Sequence, residues 1–195
     1  DFDRALKELR QGEEALGGRL DSLEGSKLLA FTGFLLLLKG AKDEALSPLT
    51  LALRVSRRQG DRGQEGAVYN FLGHFYFLRG DYDRAIRCYE KSVRLSEASG
   101  NLQGVGGALD SLGNAHLRRG RYAEAPPYHL RALEIRKKTG DIHQIADSLN
   151  NLGTLNIEKG DFARAEEYER DCLAIRERIG DDHGMGQCHL NLGIV

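Results

Sequence analysis

Residues 70–89 read NFLGHFYFLRGDYDRAIRCY, and the same frame returns as DSLGNAHLRRGRYAEA at 110–125 and NNLGTLNIEKGDFARA at 150–165, a step of 40 residues. Glycine recurs at Gly33, Gly73, Gly113, Gly153 and Gly193. A second series is Gly40, Gly80, Gly120 and Gly160, and a third is Gly60, Gly100, Gly140 and Gly180. Alanine keeps phase at Ala5, Ala45, Ala85, Ala125 and Ala165, and an aromatic ring at Phe2, Tyr82, Tyr122 and Phe162. A fixed period of this length marks a repeat architecture, in which each unit buries its apolar face only by stacking on its neighbours.

Each period divides into two helices. In 64–79 the apolar residues Tyr69, Leu72, Tyr76 and Phe77 follow the spacing of one helical face. Gly80–Asp81 then ends one helix and starts the next, glycine supplying the left-handed C-terminal residue and aspartate the N-cap. The second helix, 82–99, carries Tyr82, Ala85, Ile86, Tyr89, Val93 and Leu95. Gly60–Asp61, Gly100–Asn101, Gly140–Asp141 and Gly180–Asp181 punctuate the other junctions. Gly73, Gly113 and Gly153 fall inside helices, where glycine costs about 1 kcal/mol against alanine. A repeated cost implies close approach of the partner helix, and Ala85, Ala125 and Ala165 are the expected facing residues.

The run Leu72-Gly73-x-x-Tyr76 with Tyr82, Ala85 and Tyr89, and the elements Leu112-Gly113-Asn114-Ala115-His116 and Asn151-Leu152-Gly153, resemble the tetratricopeptide repeat signature in its 40-residue variety. That variety is similar to repeats of spindle-orientation adaptors, kinesin light chains and bacterial signalling proteins. The resemblance implies an all-α, right-handed α-α superhelix of antiparallel helix hairpins. It implies a protein- or peptide-binding scaffold rather than an enzyme.

The frame predicts a truncated second helix over 1–20, full pairs over 21–60, 61–100, 101–140 and 141–180, and a first helix over 181–195. On that register the chain is expected to be a piece of a longer array. Leu190, Leu192, Ile194 and Val195 would then form an uncapped apolar edge able to support a dimer. Pro48 and Pro126–Pro127 interrupt second helices. Because interior proline loses a donor and clashes with the preceding turn, a kink or delayed helix start is expected near Pro126.

Composition narrows the function classes. The 195 residues carry 28 basic and 29 acidic side chains, a net charge of −1. That balance speaks against a general nucleic-acid binder and against a polybasic membrane-surface protein. The apolar run 31–38 is too short to span a bilayer and reads as buried helix. Three cysteines without a CxxC pair point to a reducing, cytoplasmic setting. Cys172, His183, Cys188 and His189 fall on adjoining helices, but their spacing matches no common zinc pattern, so no metal or other cofactor is expected. Arg118–Arg119, Arg57–Arg58 and Arg136-Lys137-Lys138 lie at helix ends and read as solvated, dipole-complementing caps. Glycines 104, 106 and 107 lack a preceding strand and a GK[ST] ending, and no serine has a GxSxG context, so no catalytic residues are assigned.

In proteins that this chain resembles, the first helix of each pair lines a concave face. Carried over by position, that implies Asn70, His74 and Phe77, then Asp110, Asn114, Leu117 and Arg118, then Asp147, Asn150, Thr154, Ile157 and Glu158. In the first pair the matching residues are Lys27, Ala30, Phe34, Leu37 and Leu38. Side-chain amides both donate and accept, so a ladder such as Asn70, Asp110 and Asn150 suits a peptide backbone of any sequence. Arg118 suits a ligand carboxylate. The competing expectation is a structural spacer or oligomerisation segment with no groove ligand. The Arg-over-Lys bias and high glycine content fit a GC-rich bacterial source, where the resemblance implies a signalling or regulatory protein.

Overall fold

The computed structural model describes Lys7, Gln11 and residues 19–195, and the helix expected over 1–20 lies outside the described residues except for those few positions. After a 3-10 turn at Arg19–Asp21 the chain forms α1 (Leu23–Lys39), α2 (Lys42–Gln59), α3 (Arg62–Leu78), α4 (Tyr82–Ala98) and α5 (Leu102–Arg118). There follow α6 (Pro126–Thr139), α7 (Ile142–Lys159), α8 (Phe162–Ile179) and α9 (Asp182–Leu192). No strand occurs among the described residues. The fold is all-α, a series of helical repeats.

The junction chemistry is as the repeated Gly–Asp pairs require. Gly80 adopts φ 76°. Its N–H donates to Phe77 O at 2.9 Å and the Asp81 N–H to Tyr76 O at 3.0 Å, satisfying carbonyls that the helix end would orphan. Asp81 Oδ1 in turn accepts from the Arg84 N–H at 3.0 Å. Asp61, Asn101, Asp141 and Asp181 cap α3, α5, α7 and α9 through Gln64, Gly104, Gln144 and Gly184 in the same way.

The prolines behave differently from one another. α6 begins at Pro126, whereas α4 and α8 begin at Tyr82 and Phe162, the counterparts of Tyr122. The helix therefore starts one turn late, with proline at a first-turn position where no donor is needed. The released turn lets Glu124 Oε2 reach His116 Nδ1 at 2.9 Å. Pro48, by contrast, is carried inside α2 without ending it. Ala45, Leu49 and Ala52, fully buried on the same helix, hold that segment in place.

The chain forms two compact units, one up to Ser111 and one from Leu112, with α5 carrying the boundary. In the first unit α1 packs on α2 and α3 on α4. Its core includes Leu29, Leu36, Leu49, Val68, Leu72 and Phe75. The apolar run 31–38 is only partly interior, since Phe31 and Leu38 are exposed while Leu35, Leu36 and Leu37 are buried. In the second unit α7 packs on α6 and α8, and α9 on α8. Its core gathers Leu133, Leu149, Leu152, Leu155, Cys172 and Cys188.

The interior glycines meet different partners from those expected. The atoms nearest to a Cβ built at Gly73, Gly113 or Gly153 belong to Tyr89, His129 and Glu169, one turn beyond the alanines. At Gly33 the Cβ would lie 2.5 Å from Leu49 Cγ, with the Ala45 carbonyl also close. The alanines are buried, but the glycines make room for the larger side chain four residues on. That series, Leu49, Tyr89, His129 and Glu169, is fully interior and becomes more polar along the chain. Arg136 also departs from expectation: it is buried, donating to Ser148 Oγ and to Gln144 O at 3.0 Å, so it ties α6 to α7 instead of capping a helix in water.

Candidate partner-binding site

In the first unit, Asn70 and His74 sit one turn apart on α3, both half-buried. Asn70 Oδ1 is buried without a hydrogen-bond partner, a costly state for an amide oxygen. The His74 ring lies between Phe34, at 6.3 Å between centroids, and Tyr89, edge-on at 5.6 Å. Burial holds its imidazole below the ordinary histidine value, so the neutral ring is favoured. Phe34 stacks on Phe71 at 4.7 Å, giving the α1 side of this surface an aromatic floor. Phe77 packs edge-on against Tyr82. Ala30 and Leu37 are core residues rather than surface ones. Asp110 is 6% exposed, which leaves little of its carboxylate for a ligand.

In the second unit, Asn114 and Thr154 are half-buried and Arg118 and Glu158 exposed. Leu117 packs on the core. Asp147 and Asn150 on α7 are already engaged. Asp147 pairs with Arg176 of α8, which also pairs with Asp181. Asn150 Oδ1 accepts from Asn191 Nδ2 at 3.4 Å, and the same amide donates to Glu169 Oε1 at 2.9 Å. These two residues therefore link the surface of α7 to a polar cluster inside the unit. Within that cluster, Cys172 and Cys188 meet at an Sγ–Sγ distance of 3.1 Å. His183 and His189, which the sequence groups with them, are both exposed.

A second surface in the first unit had no counterpart in the sequence reading. Arg57 and Lys91 lie over the Tyr69 ring at 5.5 and 5.0 Å, and Arg84 lies over Tyr76 at 5.6 Å. A groove of about 430 Å³ is lined by Leu46, Phe75, Tyr76, Arg79, Asp81 and Arg84. A shallower hollow of about 290 Å³ beside it includes Tyr69, Arg87, Cys88 and Lys91. Burial pushes the Cys88 thiol up to about 11, against the pull of Lys91 and Arg87, so it is a poor nucleophile at neutral pH. The tyrosines lie on α3 and the cations on α2 and α4, so only the helix pairing places them together. No described helix is long and apolar enough to cross a membrane.

The family model described as Tetratricopeptide repeat matches residues 64–138 and 105–178, together more than half of the chain. The chain belongs to the tetratricopeptide repeat family. Its fold is thus that of a protein-interaction scaffold. No curated protein sequence matches it. Among solved structures it is similar to BtubC (BKLC) from P. vanneervenii, with a TM-score of 0.79 at 24% identity over 98% of this chain and 79% of that one. The kinesin light chain-type repeats of Podosopora anserina superpose with a TM-score of 0.69 at 17% identity, covering 92% of this chain and 88% of that one. A Signal Transduction ATPase with Numerous Domains from Pyrococcus horikoshii, which has a tetratricopeptide repeat sensor, gives 0.82 at 16% identity over 98% of this chain. The tetratricopeptide chain described here spans only 29% of that ATPase. At these identities the likeness is one of fold.

Proposed function

We propose that this tetratricopeptide chain binds an extended peptide segment of a protein partner along the first helices of its hairpins, as part of a bacterial signalling or regulatory protein. The observation that carries the reading is Asn70, whose buried Oδ1 lacks a partner beside a neutral, aromatic-flanked His74. Turned outward on its half-buried side chain, that oxygen would accept a backbone N–H from a ligand, and the adjoining Phe34 ring would take an apolar side chain. Asn114 and Thr154 offer half-buried polar groups of the same kind in the second unit, and Arg118 an exposed cation for a carboxylate. Asp147 and Asn150 contribute indirectly, because their side chains also hold α8 and α9. The similarity to a repeat sensor attached to an ATPase supports the regulatory setting.

The test is selection of binders from a random peptide library on the immobilised chain, repeated with the double variant Asn70→Ala and Asn114→Ala. Peptides that bind the parent and are lost from an equally stable variant support the reading. Peptides retained by the variant contradict it.

A further inference from the structure

Three repeat positions change chemistry together in the last hairpin. The series Leu49, Tyr89, His129 ends in Glu169; Ala52, Ser92, Ala132 ends in Cys172; and Val68, Ala108, Ser148 ends in Cys188. The first two positions lie on α8 and the third on α9, yet the three side chains converge. A carboxylate oxygen of Glu169 and the two Sγ atoms all lie within 4.8 Å of one another, and all three residues are fully buried. Packing alone asks for none of this, since the preceding repeats fill two of these positions with small or aliphatic side chains and the third with Leu49, Tyr89 and His129.

We propose that Glu169, Cys172 and Cys188 form a binding site for a single thiophilic divalent cation of the zinc(II) class. Two thiolates and one carboxylate are a donor set that such an ion accepts, with Zn–S near 2.3 Å and Zn–O near 2.0–2.2 Å. Tetrahedral geometry places two coordinated sulfurs roughly 3.8 Å apart. The present 3.1 Å separation therefore opens by only a fraction of an ångström on binding. Glu169 Oε2 is buried and has no hydrogen-bond partner, while Oε1 is held by Asn191 Nδ2 at 2.9 Å. One oxygen is thus oriented and the other left available, as outer-sphere support of a ligand requires.

Three anionic ligands around a doubly charged ion leave one negative charge, which the Arg176 guanidinium, shared with Asp147 and Asp181, offsets only in part. Binding expels the two thiol protons to solvent, one from the Cys172 group now donating to Ala146 O at 3.2 Å and one from Cys188. A water completes the fourth position. A simple disulfide pair would explain the two cysteines but not the buried carboxylate between them. His183 and His189 are exposed and take no part.

Cobalt(II) titration of the whole chain, kept reduced with a phosphine, reads the site directly through the sulfur-to-cobalt charge-transfer band and the tetrahedral d–d bands. One equivalent should develop both bands with the intensity of two thiolates, and zinc(II) should displace them. Cys188→Ser should remove about half of the charge-transfer intensity or more, and Glu169→Gln should weaken affinity by about tenfold or more. Cys88→Ser should leave every band unchanged. The wild-type stoichiometry and band intensity stand alone if a cysteine variant fails to fold. Absence of the thiolate band in the reduced parent would overturn the proposal. So would an unchanged band in a folded Cys172→Ser/Cys188→Ser protein, which would place the cobalt elsewhere.

Discussion

Gly113 on α5 is pressed against His129 on α6: a Cβ at the glycine would lie 2.5 Å from His129 Nε2. Gly107, on the same helix, faces open space, with nothing within 4 Å of a Cβ built there. Both are helical glycines that alanine would favour by about 1 kcal/mol on propensity alone.

The two substitutions should therefore move in opposite directions. Gly107→Ala should stabilise by up to about 1 kcal/mol. Gly113→Ala should destabilise by about 1–2 kcal/mol, because overpacking against a fully buried ring exceeds the propensity gain. Urea unfolding of the two variants beside the parent measures the difference. Equal stabilisation by both would mean that His129 moves aside freely.

His74 should make stability pH-dependent. Its pKa lies below the ordinary histidine value of 6.5 in the folded chain because burial disfavours the imidazolium. The unfolded chain thus binds the proton more readily, and stability is full above that value. As pH falls below it towards the folded pKa, stability declines with a slope of at most about 1.4 kcal/mol per pH unit. His74→Phe, which suits the neighbouring Phe34 and Tyr89 rings, should remove this component. Urea midpoints of parent and variant at pH 7.5 and pH 5.5 test it; an identical acid loss in both would assign the dependence to other groups.

Arg176 should matter more to stability than either carboxylate it pairs with. Its side chain is 10% exposed, whereas that of Asp147 is 54% exposed. Arg176→Ala leaves Asp147 and Asp181 without their shared cation and opens a gap between α8 and α9. We expect a loss of about 2 kcal/mol in the metal-free protein. Asp147→Ala leaves the Arg176–Asp181 pair in place and should cost about 0.5–1 kcal/mol. Amide hydrogen exchange along α9 reports both, and faster exchange in the aspartate variant than in the arginine variant would contradict the ranking.

Legibility in the sequence followed the range of the interactions. Helix junctions depend on neighbours a few residues apart, so Gly80–Asp81 and its counterparts mark them, and Pro126 marks the late start of α6. The partner of an interior glycine depends on how two helices slide past one another, sixteen positions apart in sequence at Gly73 and Tyr89. Propensity does not encode that offset, and alanine was the wrong facing residue. The Glu169, Cys172 and Cys188 convergence was hidden for the same reason. Adjoining helices grouped the cysteines with His183 and His189, which are exposed. Reading the same repeat position down successive periods would have exposed it. For the row carried over from the resemblance, repeat position named Asp147 and Asn150 without showing their ties to Arg176 and Asn191.

Side-chain amide NMR tests most directly whether the first helices form a peptide-binding surface. A library-selected peptide would be titrated into the labelled chain while the Asn70, Asn114 and Asn150 side-chain amide resonances are followed. We predict saturable shifts at Asn70 and Asn114, with a smaller one at Asn150, which Asn191 already holds. Shifts confined instead to residues around Tyr69, Tyr76, Arg87 and Lys91 would contradict the claim and move recognition to the basic, aromatic face of α3 and α4.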